Sequence, residues 1–229
     1  MENTLPAFEH ALREGADGVE LDVHASTDGV AYVFHDATLE RLTPGADPRA
    51  LGALSSAEID AVRLTNGASI PRLSAVLDLL AEAMEVNIEI KDRAAVEGCA
   101  DALRGRHLDS VVFSSFSGSA LRTARALLPK IPRALITGEY SRDPKVWLES
   151  VWPIWHLRRC GALRWHPNHR LVHGALVKAL HRRGVGVHVW TVDTPALAMK
   201  LAEDGVDAIL TDRPGWMKTA LARRKDATP

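Results

Sequence analysis

The stretch that decides the fold is Gly18–His24, which reads GVELDVH. It alternates as a β-strand does, so its apolar side chains share one face while Glu20, Asp22 and His24 share the other. A strand inside a parallel sheet is normally apolar on both faces. Neighbouring carboxylates on an inner face repel each other and lose hydration, unless a cation or hydrogen-bond donors compensate. The stretch therefore predicts a buried strand that carries a polar site.

A second stretch, Val86–Lys91 (VNIEIK), repeats this pattern and places Glu89 and Lys91 on one face. Three carboxylates that converge from two strands, those of Glu20, Asp22 and Glu89, suit a hard divalent cation, Mg²⁺ or Ca²⁺. The same residues also suit a structural polar layer in which Lys91 or an arginine pairs with Glu89. Residue spacing alone leaves both interpretations open.

Short β-like runs alternate with helical segments through most of the chain. The predicted strands cover residues 18–23, 30–34, 86–91, 110–114, 133–137, 161–165, 186–191 and 207–211, and the predicted helices residues 5–14, 74–84, 93–104, 117–128, 171–183, 195–204 and 214–223. This alternation indicates βαβ units and a mostly parallel sheet. Because no linker divides the chain, we expect a single domain over residues 1–229. A small insertion is expected at about residues 37–69, where Pro and Gly interrupt the rhythm.

Composition excludes several classes of protein. The chain has 229 residues, of which 46% are hydrophobic and 25% charged, and these are ordinary globular values. A net charge of −1 argues against nucleic acid as a partner. With two cysteines, no signal peptide and no long apolar run, we expect a cytoplasmic protein without a transmembrane segment. The chain is somewhat shorter than the roughly 250 residues of a complete α/β barrel.

Two other positions are candidates for chemistry. His35 ends an apolar run and precedes Asp36, so it suits a general acid or base, although a solvated loop histidine would look the same. Trp190 shares one strand face with His188. It suits either the lining of a binding site or the filling of the interior.

Several short motifs follow one another along the chain. They are ENT at 2–4, GADGVELDVHASTDG at 15–29, FHDATLERLTPG at 34–45, IPRL at 70–73, NIEIK at 87–91, SSF at 114–116, VHVWTVD at 187–193 and GVDAILTDRP at 205–214. In kind and order they resemble the motifs of the glycerophosphodiester phosphodiesterase family, which are metal-dependent TIM-barrel enzymes. The resemblance implies an α/β fold of the TIM (β/α)8 type.

The resemblance also implies roles for six residues. They are the metal ligands Glu20, Asp22 and Glu89, the catalytic residues His35 and Lys91, and the substrate-binding residues Lys91 and Trp190. The implied cofactor is one divalent cation, Mg²⁺ or Ca²⁺. The implied reaction is hydrolysis of a small-molecule glycerophosphodiester to glycerol 3-phosphate and an alcohol. One histidine deprotonates the nucleophile, which is water or the glycerol 2-hydroxyl, and a second histidine protonates the leaving group.

The sequence departs from the family pattern at its N-terminus. The family begins with a strand ending in His-Arg-Gly, which supplies the second catalytic histidine and a phosphate-binding arginine, and this sequence contains no His-Arg-Gly. We therefore expect a barrel without strand 1, whose open edge could self-associate with a neighbouring chain or be filled by a terminus or solvent. Either the start codon is assigned too late, or the chain is naturally short and its activity is doubtful.

Two other functions are compatible with the sequence. A phospholipase-D-like enzyme acting on lysophospholipids or sphingomyelin would need an exposed apolar lip, for which the Trp152–Trp165 tract is the candidate. A non-catalytic descendant would bind phosphodiesters or proteins without cleaving them. The retained carboxylates argue against this descendant, because a protein without a site has no need of acids inside a barrel.

Overall fold

The computed structural model describes residues 1–80, 83–138 and 152–225, in which helices and strands alternate. The strands are β1 (Gly18–Ala25), β2 (Ala31–Val33), β3 (Glu85–Ile90), β4 (Val111–Ser115), β5 (Arg133–Thr137), β6 (Arg164–Pro167), β7 (Gly186–Val189) and β8 (Ala208–Ile209). The helices are α1 (Leu5–Arg13), α2 (Ser56–Ala61), α3 (Leu73–Leu80), α4 (Ala95–Ala102), α5 (Gly118–Leu127), α6 (Ile154–Cys160), α7 (Gly174–His181), α8 (Pro195–Asp204) and α9 (Pro214–Lys225). The predicted α/β class is confirmed.

The chain forms two compact units, Met1–Ile131 and Pro132–Pro229. Whether the two form the single domain predicted from the sequence stays a prediction. Among the described residues, α1 and no strand precede β1. The open barrel edge and the self-association through it stay predictions as well.

The sheet of the first unit has the strand order β2-β1-β3-β4. β1 pairs in parallel with β3, and β3 pairs in parallel with β4. The run predicted at 30–34 becomes the short strand β2, which pairs with β1 in the antiparallel direction. Only five residues separate β1 from β2, which is enough for a hairpin but too few for a parallel crossover.

Apolar side chains on one face of this sheet pack against the helices of the same unit. Leu21 on β1 and Ile88 on β3 are fully buried, as are Val76 on α3 and Val96 on α4. The alternation read from GVELDVH and VNIEIK thus holds in the structure. With its apolar face covered by helices, the sheet presents its acidic face on the other side.

The segment 37–69 packs around a small core of its own, next to β2. It contains the 3-10 turn Leu51–Ala53 and helix α2, which begins with a capping box between Ser55 and Glu58. The buried residues of this core are Tyr32, Phe34, Leu39, Leu42, Leu51, Leu54, Ile59, Val62, Leu64 and Ile70. The sequence-based prediction missed α2, because six residues are too few to display a helical period.

The second unit holds a parallel sheet in the order β5-β6-β7-β8. Trp165 on β6 is fully buried, and its indole N–H donates to the hydroxyl of Thr137 at 2.9 Å. The strand predicted at 161–165 begins later, because Gly161, with a φ of 66°, ends helix α6. The prediction also missed α6. None of the described helices combines the length and the apolar character needed to cross a bilayer.

Helix α4 approaches β2 most closely at Gly98, and this contact generates a stability prediction. A Cβ at Gly98 would lie 2.5 Å from the carbonyl oxygen of Gly29 and 3.0 Å from the amide nitrogen of Ala31. We expect Gly98→Ala to lower stability, because overpacking costs about 1–3 kcal/mol and alanine returns only about 1 kcal/mol of helix propensity. The thermal unfolding midpoint should fall by about 2–4 °C for each net kcal/mol.

The matched control is Gly52→Ala. A Cβ there meets only the carbonyl oxygen of Ala25, at an ordinary contact distance of 3.5 Å, so the midpoint should stay near that of the wild type. Equal midpoints for Gly98→Ala and the wild type would show that α4 can move away from β2 at no cost.

Candidate active site

Three carboxylates meet on the polar face of the first unit's sheet. Parallel pairing of β1 with β3 places Asp22 directly opposite Glu89, and Glu20 is two residues earlier on β1. One carboxylate oxygen from each of the three residues lies within 4.8 Å of the others. Asp22 and Glu89 are 4% and 8% exposed, so little water reaches their charges. The structure thus brings together all three predicted metal ligands, whose role stays a prediction.

Lys91 belongs to the same cluster. Its Nζ lies 2.6 Å from Oδ1 of Asp22 and 2.8 Å from Oε1 of Glu89. The salt bridge that the sequence offered as an alternative to a metal site is therefore present. It does not neutralise the cluster, because one ammonium faces three carboxyl groups, and Oε1 of Glu20 is buried without a hydrogen-bond partner in the described part of the chain. The cluster therefore contains both a salt bridge and carboxylates that are suited to bind a cation.

The electrostatics follow from burial and from this imbalance of charge. Burial, then the charges of Asp22 and Glu89, raise the pKa of Glu20 well above its ordinary value. Burial also raises the pKa of Glu89, although Lys91 opposes that rise. Burial alone would lower the pKa of Lys91, but the two paired carboxylates outweigh it and raise the pKa. The cluster is therefore short of positive charge.

Asn3 holds Asp22 from the opposite side, and the sequence analysis did not identify it as a site residue. Its Nδ2 donates to Oδ2 of Asp22 at 2.7 Å, and the backbone N–H of Asp22 donates to Oδ1 of Asn3 at 3.2 Å. Asn3 has a φ of 53°, a left-handed conformation that asparagine tolerates better than most residues. The ENT motif at residues 2–4 was the available signal, but its spacing does not reveal the contact.

Two further polar side chains, those of Asn87 and Ser114, lie on the same face of the sheet as the cluster. Asn87 pairs in register with Glu20, and Ser114 pairs with Glu89. Within residues 1–80, 83–138 and 152–225, neither polar atom of the Asn87 amide nor the buried Ser114 hydroxyl has a hydrogen-bond partner. Leaving such groups unpaired costs about 1–3 kcal/mol each. These atoms are therefore available to bind water or a polar ligand.

His35 follows β2, and its side chain is half exposed. Its Nδ1 lies 2.7 Å from Oδ1 of Asp36. The backbone N–H of Phe34, the residue before His35, donates to the carbonyl oxygen of Asp22 at 2.9 Å, so His35 follows a residue that is hydrogen-bonded to the strand of the cluster. A second histidine, His24, lies 3.4 Å from the His35 carbonyl oxygen through Nε2 and 3.4 Å from Oδ2 of Asp92 through Nδ1. His24, which lies on the same strand as Glu20 and Asp22, thus contacts the backbone at His35.

Trp190 lies in the second unit, just after β7. Its indole N–H donates to the carbonyl oxygen of His166 at 2.9 Å, and the residue is half-buried. The His166 ring stacks on that of His188 with centroids 4.9 Å apart. Burial lowers the pKa of His166 well below its ordinary value, and neither ring nitrogen has a partner among the described residues. No role was predicted for His166, because a histidine with other polar residues close to it in the sequence is a weak signal.

Asp22 and Glu89 lie toward the carboxyl ends of the paired stretches Gly18–Val23 and Glu85–Ile90, the end of a parallel sheet at which barrel enzymes carry their active sites. The profile of the Glycerophosphoryl diester phosphodiesterase family matches residues 1–216, and the chain belongs to this family of phosphoric diester hydrolases.

Individual relatives agree with this family. The "Probable glycerophosphodiester phosphodiesterase 2" of Mycobacterium tuberculosis is 32% identical, covering 97% of this chain and 86% of its own length. The "Glycerophosphodiester phosphodiesterase" of Caldanaerobacter subterraneus is 29% identical, covering 93% and 89%. A phosphodiesterase from Oleispira antarctica, solved in complex with the product sn-glycerol-3-phosphate, is 26% identical with a TM-score of 0.83, covering 96% and 91%.

The raised pKa of Glu20 generates a prediction of pH dependence in the absence of divalent cations. A carboxyl group with a higher pKa in the folded than in the unfolded chain stabilises the fold below its unfolded value, about 4.5 here, and loses that contribution as pH rises. The free energy of unfolding should therefore fall with rising pH, by about 1.4 kcal/mol for each pH unit separating the two pKa values.

Urea unfolding in EDTA between pH 5 and pH 9 measures this dependence. Glu20→Gln should reduce that fall to the part that the raised pKa of Glu89 contributes, and it should be more stable than the wild type at the upper end of the range. The control Glu97→Gln changes an exposed carboxylate on α4 and should leave the profile unchanged. A Glu20→Gln profile parallel to the wild type would contradict the assignment of the pH dependence to Glu20.

Proposed function

We propose that this chain hydrolyses glycerophosphodiesters to glycerol 3-phosphate and an alcohol. The observation that carries the proposal is the convergence of Glu20, Asp22 and Glu89 within 4.8 Å. The Asp22 carbonyl oxygen also accepts a hydrogen bond from the backbone N–H of Phe34, the residue before His35. The glycerol 3-phosphate complex of the relative from Oleispira antarctica supports this choice of product. A cytoplasmic location, expected from the sequence, remains part of the proposal.

The residues fit one divalent cation, Mg²⁺ or Ca²⁺. All three candidate ligands offer carboxylate oxygens, which hard cations prefer, and no hydrogen bond from the residues that the structure describes reaches the buried Oε1 of Glu20. A bound cation supplies Lewis-acid stabilisation of the charge that develops on phosphoryl oxygens. We propose that Glu20, Asp22 and Glu89 hold it.

The remaining residues have roles in binding and proton transfer. Lys91, whose ammonium already lies at the carboxylate cluster, is proposed to contact the substrate phosphate and stabilise its charge. His35 is proposed to exchange a proton with the reacting oxygen, because an imidazole can do so near neutral pH. Trp190 is proposed to contact the substrate, because the resemblance to the family implies this role for it. Its hydrogen bond to the His166 carbonyl holds the indole in one orientation.

Release of glycerol 3-phosphate from glycerophosphocholine tests this function. With Mg²⁺ or Ca²⁺ we expect turnover that EDTA abolishes and added cation restores. Glu89→Gln should lower kcat/KM by at least about 100-fold. It removes one of the three charged candidate ligands, so Glu20 and Asp22 would hold the cation less firmly and in a changed position. The control Glu97→Gln carries the same change on α4 and should retain full activity.

A second comparison addresses the His-Arg-Gly motif that this sequence does not contain. The chain preceded by a family first strand carrying that motif should be about 10²–10⁴-fold faster, the usual contribution of one member of an acid–base pair. Equal rates for the two forms would contradict the expected need for a second histidine. A wild-type or extended form with no cation-dependent turnover would reject the proposed reaction.

One observation favours a second candidate, an enzyme that acts on lipid aggregates. Trp152 and Trp155 are 54% and 59% exposed at helix α6, whereas Trp165 of the same predicted tract is buried. The exposed Arg158 and Arg159 lie on the same helix, and the Arg159 guanidinium lies 5.1 Å from the centre of the Trp155 ring. Tryptophan favours the membrane interface, and each arginine near an anionic surface adds about 1 kcal/mol.

Sedimentation with phosphatidylglycerol vesicles tests this candidate. We expect binding that exceeds binding to phosphatidylcholine vesicles and that falls at least about tenfold in the double variant Trp152→Ala, Trp155→Ala. Trp216→Ala is the matched control. Trp216 lies on α9 and is 44% exposed, and the centre of its ring lies 5.1 Å from the guanidinium of Arg213. Equal binding by the double variant and this control would reject α6 as a lipid-binding surface.

A further inference from the structure

A chain of charged groups ends on the ring of His35. Arg41, in the segment 37–69, donates from Nε to Oδ2 of Asp36 at 2.6 Å and from Nη2 to Oδ1 of Asp36 at 3.0 Å. Nη2 of Arg41 also donates to Oε1 of Glu2. Oδ1 of Asp36 lies 2.7 Å from Nδ1 of His35. The Arg41 guanidinium thus joins Glu2, near the N-terminus, to Asp36, whose carboxylate contacts the candidate catalytic histidine His35.

The direction of these hydrogen bonds follows from the chemistry of the groups. A guanidinium can only donate. The hydrogen bonds from Arg41, followed by the one to His35, keep Asp36 ionised by lowering its pKa to about 2, although burial opposes this. An ionised carboxylate can only accept, so the proton between Asp36 and His35 must belong to Nδ1 of the imidazole. The neutral ring then carries no proton on Nε2.

We propose that Arg41 is a positioning residue, which holds Asp36 so that His35 is fixed as the Nδ1–H tautomer with Nε2 free to exchange a proton with substrate. This inference rests on the proposed function for its kinetic consequence, but not for the tautomer itself. Arg41 acts through Asp36 and touches none of the three clustered carboxylates in the described contacts. Because its side chain is half exposed, the ion pair adds little stability, so the variant should fold.

The structure supplies a matched control in Arg49. It forms the same kind of bidentate ion pair in the same segment, with Nε and Nη2 within 3.0 Å of the Asp47 carboxylate. The side chains of Arg41 and Arg49 are both 51% exposed. The contacts of the Arg49–Asp47 pair do not include His35, so the two arginines differ in the feature under test.

Long-range ¹H–¹⁵N spectra of the full chain at pH 8, with the His35 signals assigned from His35→Gln, report the tautomer directly. We expect a single Nδ1–H form in the wild type, a mixture of tautomers in Arg41→Ala, and partial recovery in Arg41→Lys, which keeps the charge but loses the planar fork. With glycerophosphocholine, kcat of Arg41→Ala should fall about 10–100-fold with little change in KM, because a misplaced group slows the chemical step. Arg49→Ala should match the wild type in both measurements.

Two results would overturn the inference. One is an Arg41→Ala spectrum with the wild-type His35 tautomer, and the other is an Arg49→Ala variant that changes the tautomer or kcat as much as Arg41→Ala does. The spectra need no turnover, so the two proposals can fail separately. A wild type without hydrolysis rejects the proposed function, while an unchanged tautomer in an otherwise active Arg41→Ala rejects this inference alone.

Discussion

Repulsion among carboxylates on two adjacent parallel strands is the constraint that the first unit has to satisfy. The register of β1 against β3 sets Asp22 directly opposite Glu89, at the strand separation of about 5 Å that any sheet imposes. Burial removes most of the water that would screen the two charges. Two groups compensate: the Lys91 ammonium bridges both carboxylates, and the Asn3 amide donates to the far oxygen of Asp22. Burial, followed by the charges of Asp22 and Glu89, raises the pKa of Glu20, and the opposing effect of Lys91 is smaller.

The scaffold keeps this arrangement in place because the opposite face of the sheet is apolar and covered. Leu21 and Ile88 are buried under helices, so a slip of one residue in register would expose them and bury charge instead. The β1–β2 hairpin then carries His35 back to the same region. The segment 37–69 packs around its own core, which fixes the position of the backbone at Arg41. The Arg41 side chain donates a hydrogen bond to Asp36 from there. An apparent interruption of the βα rhythm thus supports a candidate catalytic residue.

Features that depend on neighbouring residues in the sequence could be predicted, whereas contacts between residues distant in sequence could not. Strand alternation is a local property, so Glu20, Asp22 and Glu89 could be placed on inner faces from sequence alone. The strands and most helices were likewise found near their observed positions. Helices α2 and α6 were missed because they are short and end before a period can develop. Asn3 contacts Asp22 and Arg41 contacts Glu2, and no spacing rule reveals contacts between residues so distant in sequence.

The sequence by itself determined the α/β class, the two acidic strands and, through the order of its motifs, the phosphodiesterase family. It could not decide whether the acids serve a salt bridge or a cation site. Only the tertiary structure decided that Lys91 pairs with two carboxylates while Oε1 of Glu20 has no hydrogen-bond partner among the described residues. The physical reason is that alternation fixes which face a side chain takes, whereas its partners depend on strand register and loop packing, which arise when distant segments meet.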